Sequence, residues 1–407
     1  MRGGRGRPRR GARGRHAGAG AGQGGATAPL ALAGHGGAGQ EGERLEGGRS
    51  PLFGLRFAAP LLAPAAAVAS AWGAAPHCLV PALVFVAVPL LDVALGEDRS
   101  PPAGGGRSSG QGLGGLASAS SERLYRLAVY AFAVAATLQL GVSACAFCQA
   151  VGEGALAEAA ALALSAGVVG GLGINAAHEL CHGRPAERRA CRALLACWAY
   201  TFWATSHLAH HALVGLPGKD CATATRHETV WGFAARAPGK NLGQALAFEE
   251  RKGRPRWRAL CSYAAAPAAI AAALTVALGP AALVFYVAQA AIAVFLLEAV
   301  NFLEHYGLER ADASAAVTPA LSWNASWPAS NALLFNLQRH SDHHSQGRAG
   351  AHYQTLRDME PAQAPRLPHC YPTMILLSLV PPLFAAKMDT AWKRYQAASA
   401  ETGIGVQ

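Results

Sequence analysis

Nine of the fifteen histidines in the chain fall into four short groups. INAAHELCH carries His178 and His182, SHLAHH carries His207, His210 and His211, NFLEHYGL carries His305, and LQRHSDHH carries His340, His343 and His344. Spacings of i, i+4 and i, i+3, i+4 stack the rings on one face of a helix. Neutral imidazoles that converge are metal ligands. Taken singly the groups have plainer readings: His178 and His182 suit a polar helix end, and His305 beside Tyr306 suits a membrane interface. A basic, pH-sensitive surface would account for the histidines together, but not for several clusters with helical ligand spacing. Nine imidazoles exceed the four ligands of a tetrahedral zinc site, so two metal ions are implied. Imidazole suits iron, copper, zinc and nickel; iron and copper are the oxygen-activating choices, and composition does not decide between them.

The elements that must position these groups are apolar. The 407 residues are 52% hydrophobic and 14% charged, against about a quarter charged in soluble domains. Six nearly uncharged runs, about 54–74, 77–96, 126–150, 155–176, 259–279 and 281–303, approach the roughly 20 residues of a spanning helix. Short links such as Ala75-Pro76, Val151–Gly154 and Gly279-Pro280 pair them as hairpins. The stretches 192–206 and 371–386 are shorter, the second holds Pro381-Pro382, and both read as interfacial or re-entrant. The expectation is an all-α multi-pass membrane protein with about six transmembrane helices and a cytoplasmic histidine-rich helical cap. Six spans put nearly all Arg and Lys on one face, with Glu153 the charge in the opposite links, which orients that face toward the cytoplasm, stroma or matrix. All four histidine groups fall on the same face.

Residues 1–50 form an Arg/Gly/Ala-rich segment expected to be disordered. Residues 1–40 contain seven arginines and no acid, which fits an organelle transit peptide or a solvated tail. No aromatic residue lies there to stack on bases, so nucleic acid is not an expected partner. The transmembrane domain is expected over 51–395, with a C-terminal tail at 396–407. The nine cysteines are scattered; Cys145 and Cys148 have no second pair and read as small packing residues.

The four histidine motifs, followed by HYQTLRDM and accompanied by LLDVALGED and SWNASWPASN, resemble those of integral-membrane alkane 1-monooxygenases, in the membrane fatty acid desaturase and hydroxylase superfamily. The resemblance covers roughly residues 50–390. It implies a non-haem diiron centre, two iron ions held by His178, His182, His207, His210, His211, His305, His340, His343 and His344, with O2 as co-substrate. It further implies hydroxylation of the terminal methyl of an alkane or similar apolar chain drawn from the membrane lipid, and electrons from a rubredoxin or ferredoxin-like donor and its reductase. Without a second CxxC pair, that donor is expected as a separate protein.

One feature departs from the family pattern. SHLAHH has two residues between its first histidine and the HH pair, where the family usually has three; aligning the pair puts Ser206 in the ligand's place, whereas helical spacing favours His207. The shorter spacing also fits a membrane fatty acid desaturase or fatty acid hydroxylase, the alternative function; a third reading is a membrane metal carrier, or a degenerate homologue that keeps the fold and has lost the site. Glu179, Glu304 and Asp342 are candidates to orient the ligand rings, and no side chain beyond the metal centre is expected to act as a nucleophile. Arg339 and Lys219 lie on the same face and read first as positive-inside residues, with contact to an acidic electron donor as the alternative.

Overall fold

The computed structural model describes residues 51–98, 114–345 and 353–401; the N-terminal segment 1–50 and residues 402–407 lie outside the described residues. Within them the fold is helical, with no strand and one isolated parallel bridge between Asn324 and Arg366. All six apolar runs become helix. We number them with the elements between: α1 (Leu55–Ala71, 3-10 as far as Leu61 and α-helical from Leu62), α2 (Leu79–Leu95, with a π-turn at Leu83–Ala87), α3 (Gly114–Gly152), α4 (Leu156–Cys181), α5 (Pro185–Leu195), α6 (Trp203–Leu213), α7 (Val230–Arg251), α8 (Arg256–Leu278), α9 (Ala281–His305), α10 (Pro328–Leu333), α11 (His340–Ser345), α12 (Tyr371–Ser378) and α13 (Pro381–Glu401).

The six expected spans differ in length. Among the described residues, four segments are long and apolar enough to cross a membrane: Arg123–Gly152, α4, α8 and α9. Helices α1 and α2 are shorter, because Trp72–Cys78 is taken up by the turn and Gly96 ends α2 with a positive φ of 75°. Outward side chains such as Val276 (89% exposed), Leu138 (66%) and Val284 (61%) would be unfavourable in water and are accommodated by lipid.

Helix α4 is the centre of the bundle, packed on α9 and α3. Its run of small residues allows the approach. A Cβ at Gly170 would lie 2.7 Å from Ala293 Cβ, and one at Gly173 would lie 2.1 Å from the Trp198 ring. Nothing larger fits between α4 and these neighbours.

Beneath the spans, residues 321–345 form a buried saddle held by polar contacts. Asp92 accepts from the backbone N–H of Ala329 (2.7 Å) and Ser330 (3.2 Å), capping α10 from α2. Asn175 in α4 donates to Leu334 O (2.7 Å). Phe335 and Asn336 then adopt φ of 48° and 56°, a left-handed conformation that is unfavourable outside glycine. Burial of Phe335 and the bond from Asn336 Nδ2 to Tyr353 O (2.8 Å) hold that turn, which delivers the fourth histidine group upward toward α4 and α9.

Candidate metal centre

The four groups meet from separate elements. His178 is on the last turn of α4 and His182 follows it; α6 carries His207, His210 and His211; His305 ends α9; α11 carries His340, His343 and His344. All are buried except the half-buried His182. They sort into two adjacent groups, His178, His182, His207, His211 and His343 in one, His210, His305, His340 and His344 in the other, with ligand atoms in each within 4.8 Å of one another. The rings of His211 and His344 join the groups, with centroids 4.5 Å apart.

The Nε2 atoms point inward. In the first group they lie 2.9 Å apart for His182 and His207, 3.1 Å for His207 and His211, 3.2 Å for His211 and His343, and 3.0 Å for His343 and His178. In the second the spacings are 3.3 Å for His210 and His344, 3.0 Å for His344 and His340, and 3.3 Å for His340 and His305. A neutral imidazole has one N–H and one lone pair, so an Nε2 facing two others cannot be satisfied by hydrogen bonding alone. An ion about 2.1 Å from each nitrogen makes donor–donor edges of about 3.0 to 3.4 Å. The donor set therefore fits two metal ions.

The electrostatics suit metal capture. Burial, followed by repulsion from neighbouring rings, holds His207, His211, His340, His343 and His344 well below the usual imidazole range. His182 is pushed down to about 3 by burial and by His178, against the opposing pull of Glu179. Lone pairs are thus available at neutral pH.

His207 stands inside the first group, while the Ser206 hydroxyl donates away from it to Asn241 Oδ1 (2.7 Å). Of the carboxylates expected to orient rings, Glu179 lies 3.2 Å from His178 Nδ1, and Glu304 lies 3.2 Å from His340 Nε2 while accepting from the Tyr371 hydroxyl (3.2 Å). Asp342 accepts from the backbone N–H of Arg357 (2.7 Å). Arg339 is 1% exposed and donates to Leu356 O (3.1 Å), so it is a core residue and not a docking residue; Lys219 is exposed.

Sequence reasoning missed Asp220. It is fully buried, its Oδ1 lies 2.9 Å from His210 Nδ1, and its Oδ2 accepts from Thr223 Oγ1 (2.7 Å). Burial pushes this carboxyl up, but His210 and the hydrogen bonds outweigh it and hold the group below its ordinary value. Ten residues separate Asp220 from His210 across a loop, so no helical spacing announces the pair.

An apolar pocket leads to the rings, with about 760 Å³ of space when the open solvent at its mouth is included. Its walls are apolar, from Val84 and Phe85 of α2, Val168 and Leu172 of α4, Leu296 and Val300 of α9, and Ile375 of α12. His178, His207, His210 and His340 line its inner end, with Asn301, Glu304 and Tyr371 beside them. Val168 precedes His178 by ten residues on one helix, which gives the lining a depth of roughly 15 Å.

Fold and site together define a helical membrane protein with a histidine-rich metal centre at the end of an apolar cavity. The chain matches the Fatty acid desaturase family over residues 155–377, more than half its length. It is 31% identical to alkane 1-monooxygenase 2 of Alcanivorax borkumensis over 77% of this chain and 82% of that protein, and 33% identical to alkane 1-monooxygenase of Pseudomonas putida over 76% and 77%. Alkane 1-monooxygenase 2 of Pseudomonas aeruginosa is 36% identical over 56% of this chain and 63% of that protein. The chain belongs to the fatty acid desaturase family, and these relatives within it are alkane 1-monooxygenases.

Proposed function

We propose that the protein is a membrane alkane 1-monooxygenase, an oxidoreductase that hydroxylates the terminal methyl of an alkane or similar apolar chain. The observation that carries this reading is the cavity: its walls offer an unfunctionalised chain only apolar contact, and its inner end is a cluster of imidazole nitrogens. A hydrocarbon has no polar handle, so affinity comes from burial, about 0.8 kcal/mol per CH2. Val168, Leu172, Leu296 and Val300 would hold the chain extended and exclude water, and the narrow approach between α4 and α9 would point its methyl at His178, His207, His210 and His340.

All nine histidines are the metal ligands in this reading, holding two iron ions. When bound, the irons supply reductive activation of O2 and transfer of one oxygen atom to the methyl carbon. The side chains set the conditions for that chemistry. Asp220 and the Leu321 carbonyl, 2.9 Å from His305 Nδ1, fix the tautomers that turn both Nε2 lone pairs inward. Glu179 faces the outer nitrogen of His178, and Tyr371 holds the Glu304 carboxyl beside His340. Asp342 steadies α11 through the Arg357 backbone. Electrons come from a separate rubredoxin or ferredoxin-like protein and its reductase. The short α1–α2 hairpin crosses the bilayer with the four longer spans, making six, and the centre faces the cytoplasm, stroma or matrix; the distribution of Arg and Lys supports this orientation.

Membranes containing the chain, supplied with an n-alkane, O2, rubredoxin and its reductase, test the reading. A primary alcohol is the expected product. An alkene formed from an acyl lipid, with the alkane untouched, would instead identify a desaturase.

A further inference from the structure

Glu298 lies within the apolar length of α9 and is 0% exposed. A carboxylate at membrane depth is unfavourable unless its lone pairs are satisfied. Here the Tyr200 hydroxyl donates to Oε1 (2.6 Å), Asn241 Nδ2 donates to Oε1 (3.3 Å), and Asn301 Nδ2 donates to Oε2 (3.1 Å). Tyr200 comes from the link between α5 and α6, Asn241 from α7, and Asn301 from one turn further along α9. Asn241 continues the network, because its Oδ1 accepts from Ser206 Oγ (2.7 Å). Ser206 is 0% exposed and immediately precedes His207 on α6. One turn after Asn241, Gln244 donates to Ser206 O (2.9 Å) and accepts from the backbone N–H of Cys221, next to Asp220.

We propose that Glu298 is a positioning residue for the metal centre: through Asn241 and Ser206 it fixes α6 against α9, and so sets the placement of His207, His210 and His211. The inference rests on reading these histidines as ligands. It gives Ser206 a role in SHLAHH as the anchor one residue ahead of the first ring. A carboxylate suits the hub because all three of its neighbours donate, and it accepts without donating. Glutamine can replace it if Asn301 turns its amide to present oxygen, whereas leucine strands Tyr200 and Asn241.

The test uses the full chain in lipid nanodiscs loaded with iron(II), following iron loss to a chelator alongside the melting temperature and the X-ray absorption of the bound iron. Ser206→Ala, Asn241→Leu and Glu298→Leu should lose iron roughly tenfold faster or more, the scale of losing a group that orients ligands, with a more disordered Fe–N shell. Glu298→Gln should stay close to the unaltered chain. Iron leaving folded Ser206→Ala and Glu298→Leu at the unaltered rate would overturn the proposal, even with a lowered melting temperature, since that pattern marks a purely structural role. Glu298→Gln losing iron as fast as Glu298→Leu would also overturn it. Two irons retained by the unaltered chain in the same assay keep either result separate from a failure of the ligand assignment.

Discussion

Replacing Asp220 with asparagine changes one atom, and the hydrogen bonds dictate the consequence. Asp220 Oδ1 faces His210 Nδ1, and Oδ2 faces Thr223 Oγ1. The Thr223 hydroxyl already accepts from the backbone N–H of Gly215 (2.9 Å), which directs its own hydrogen to Asp220. Both carboxylate oxygens are therefore acceptors, and an asparagine must turn its NH2 toward one of two donors. If it turns toward His210, that ring moves its proton to Nε2 and stops being a ligand; if toward Thr223, the amide takes the second lone pair of Oγ1 and the Thr223 hydrogen loses its buried acceptor. Loss of a partner that orients a ligating histidine lowers metal affinity by about 10- to 100-fold, or roughly 1.4 to 2.7 kcal/mol. Competition between the protein and a chelator for iron(II) measures this directly. Adding Thr223→Ala to Asp220→Asn should recover part of the loss, because the amide is then free to give its oxygen to His210. Unchanged affinity in Asp220→Asn, or no recovery in the double variant, would refute the assignment of Asp220 as the group that fixes the His210 tautomer.

Further expectations follow from the same geometry. Gly173→Ala places a methyl 2.1 Å from the Trp198 ring and should destabilise the protein by about 1 to 3 kcal/mol, read as a lower melting temperature in detergent; an unchanged melt would show that α4 can shift. Val168→Trp should narrow the cavity away from the rings and move the products from a mixed-alkane assay toward shorter alcohols, while an unaltered chain-length profile would place the substrate elsewhere. The metal-free protein should lose stability as pH falls below about 6.5, because His182 is held down to about 3 and the unfolded chain binds the proton the folded one refuses. Thermal melts between pH 7 and 4 check the sign: the melting temperature should drop on acidification, and a rise would contradict it.

Much of the site was legible because ligand spacing on a helix is a local property. His178 with His182, and His340 with His343 and His344, announce shared faces within one or two turns, and the structure turns those faces toward one another. Asp220 was hidden because a loop, not a helical repeat, brings it to His210. Glu298 was hidden for the opposite reason: it sits in a run whose overall hydropathy identifies a span, and its partners come from α7 and the α5–α6 link. Arg339 was misread because a basic residue near a histidine group looks like surface, whereas the left-handed turn at Phe335 and Asn336 carries it into the core. The expected runs overshoot α1 and α2, because hydropathy continues through the turn residues that end these helices at Ala71 and Leu95.

The most direct test is the iron content of the purified, iron-loaded chain, measured by elemental mass spectrometry against quantitative amino-acid analysis. Two irons per chain, falling in His343→Ala and in His344→Ala, is the predicted result. A chain that takes up no iron, or keeps its full complement after both substitutions, would contradict a centre built from these nine rings.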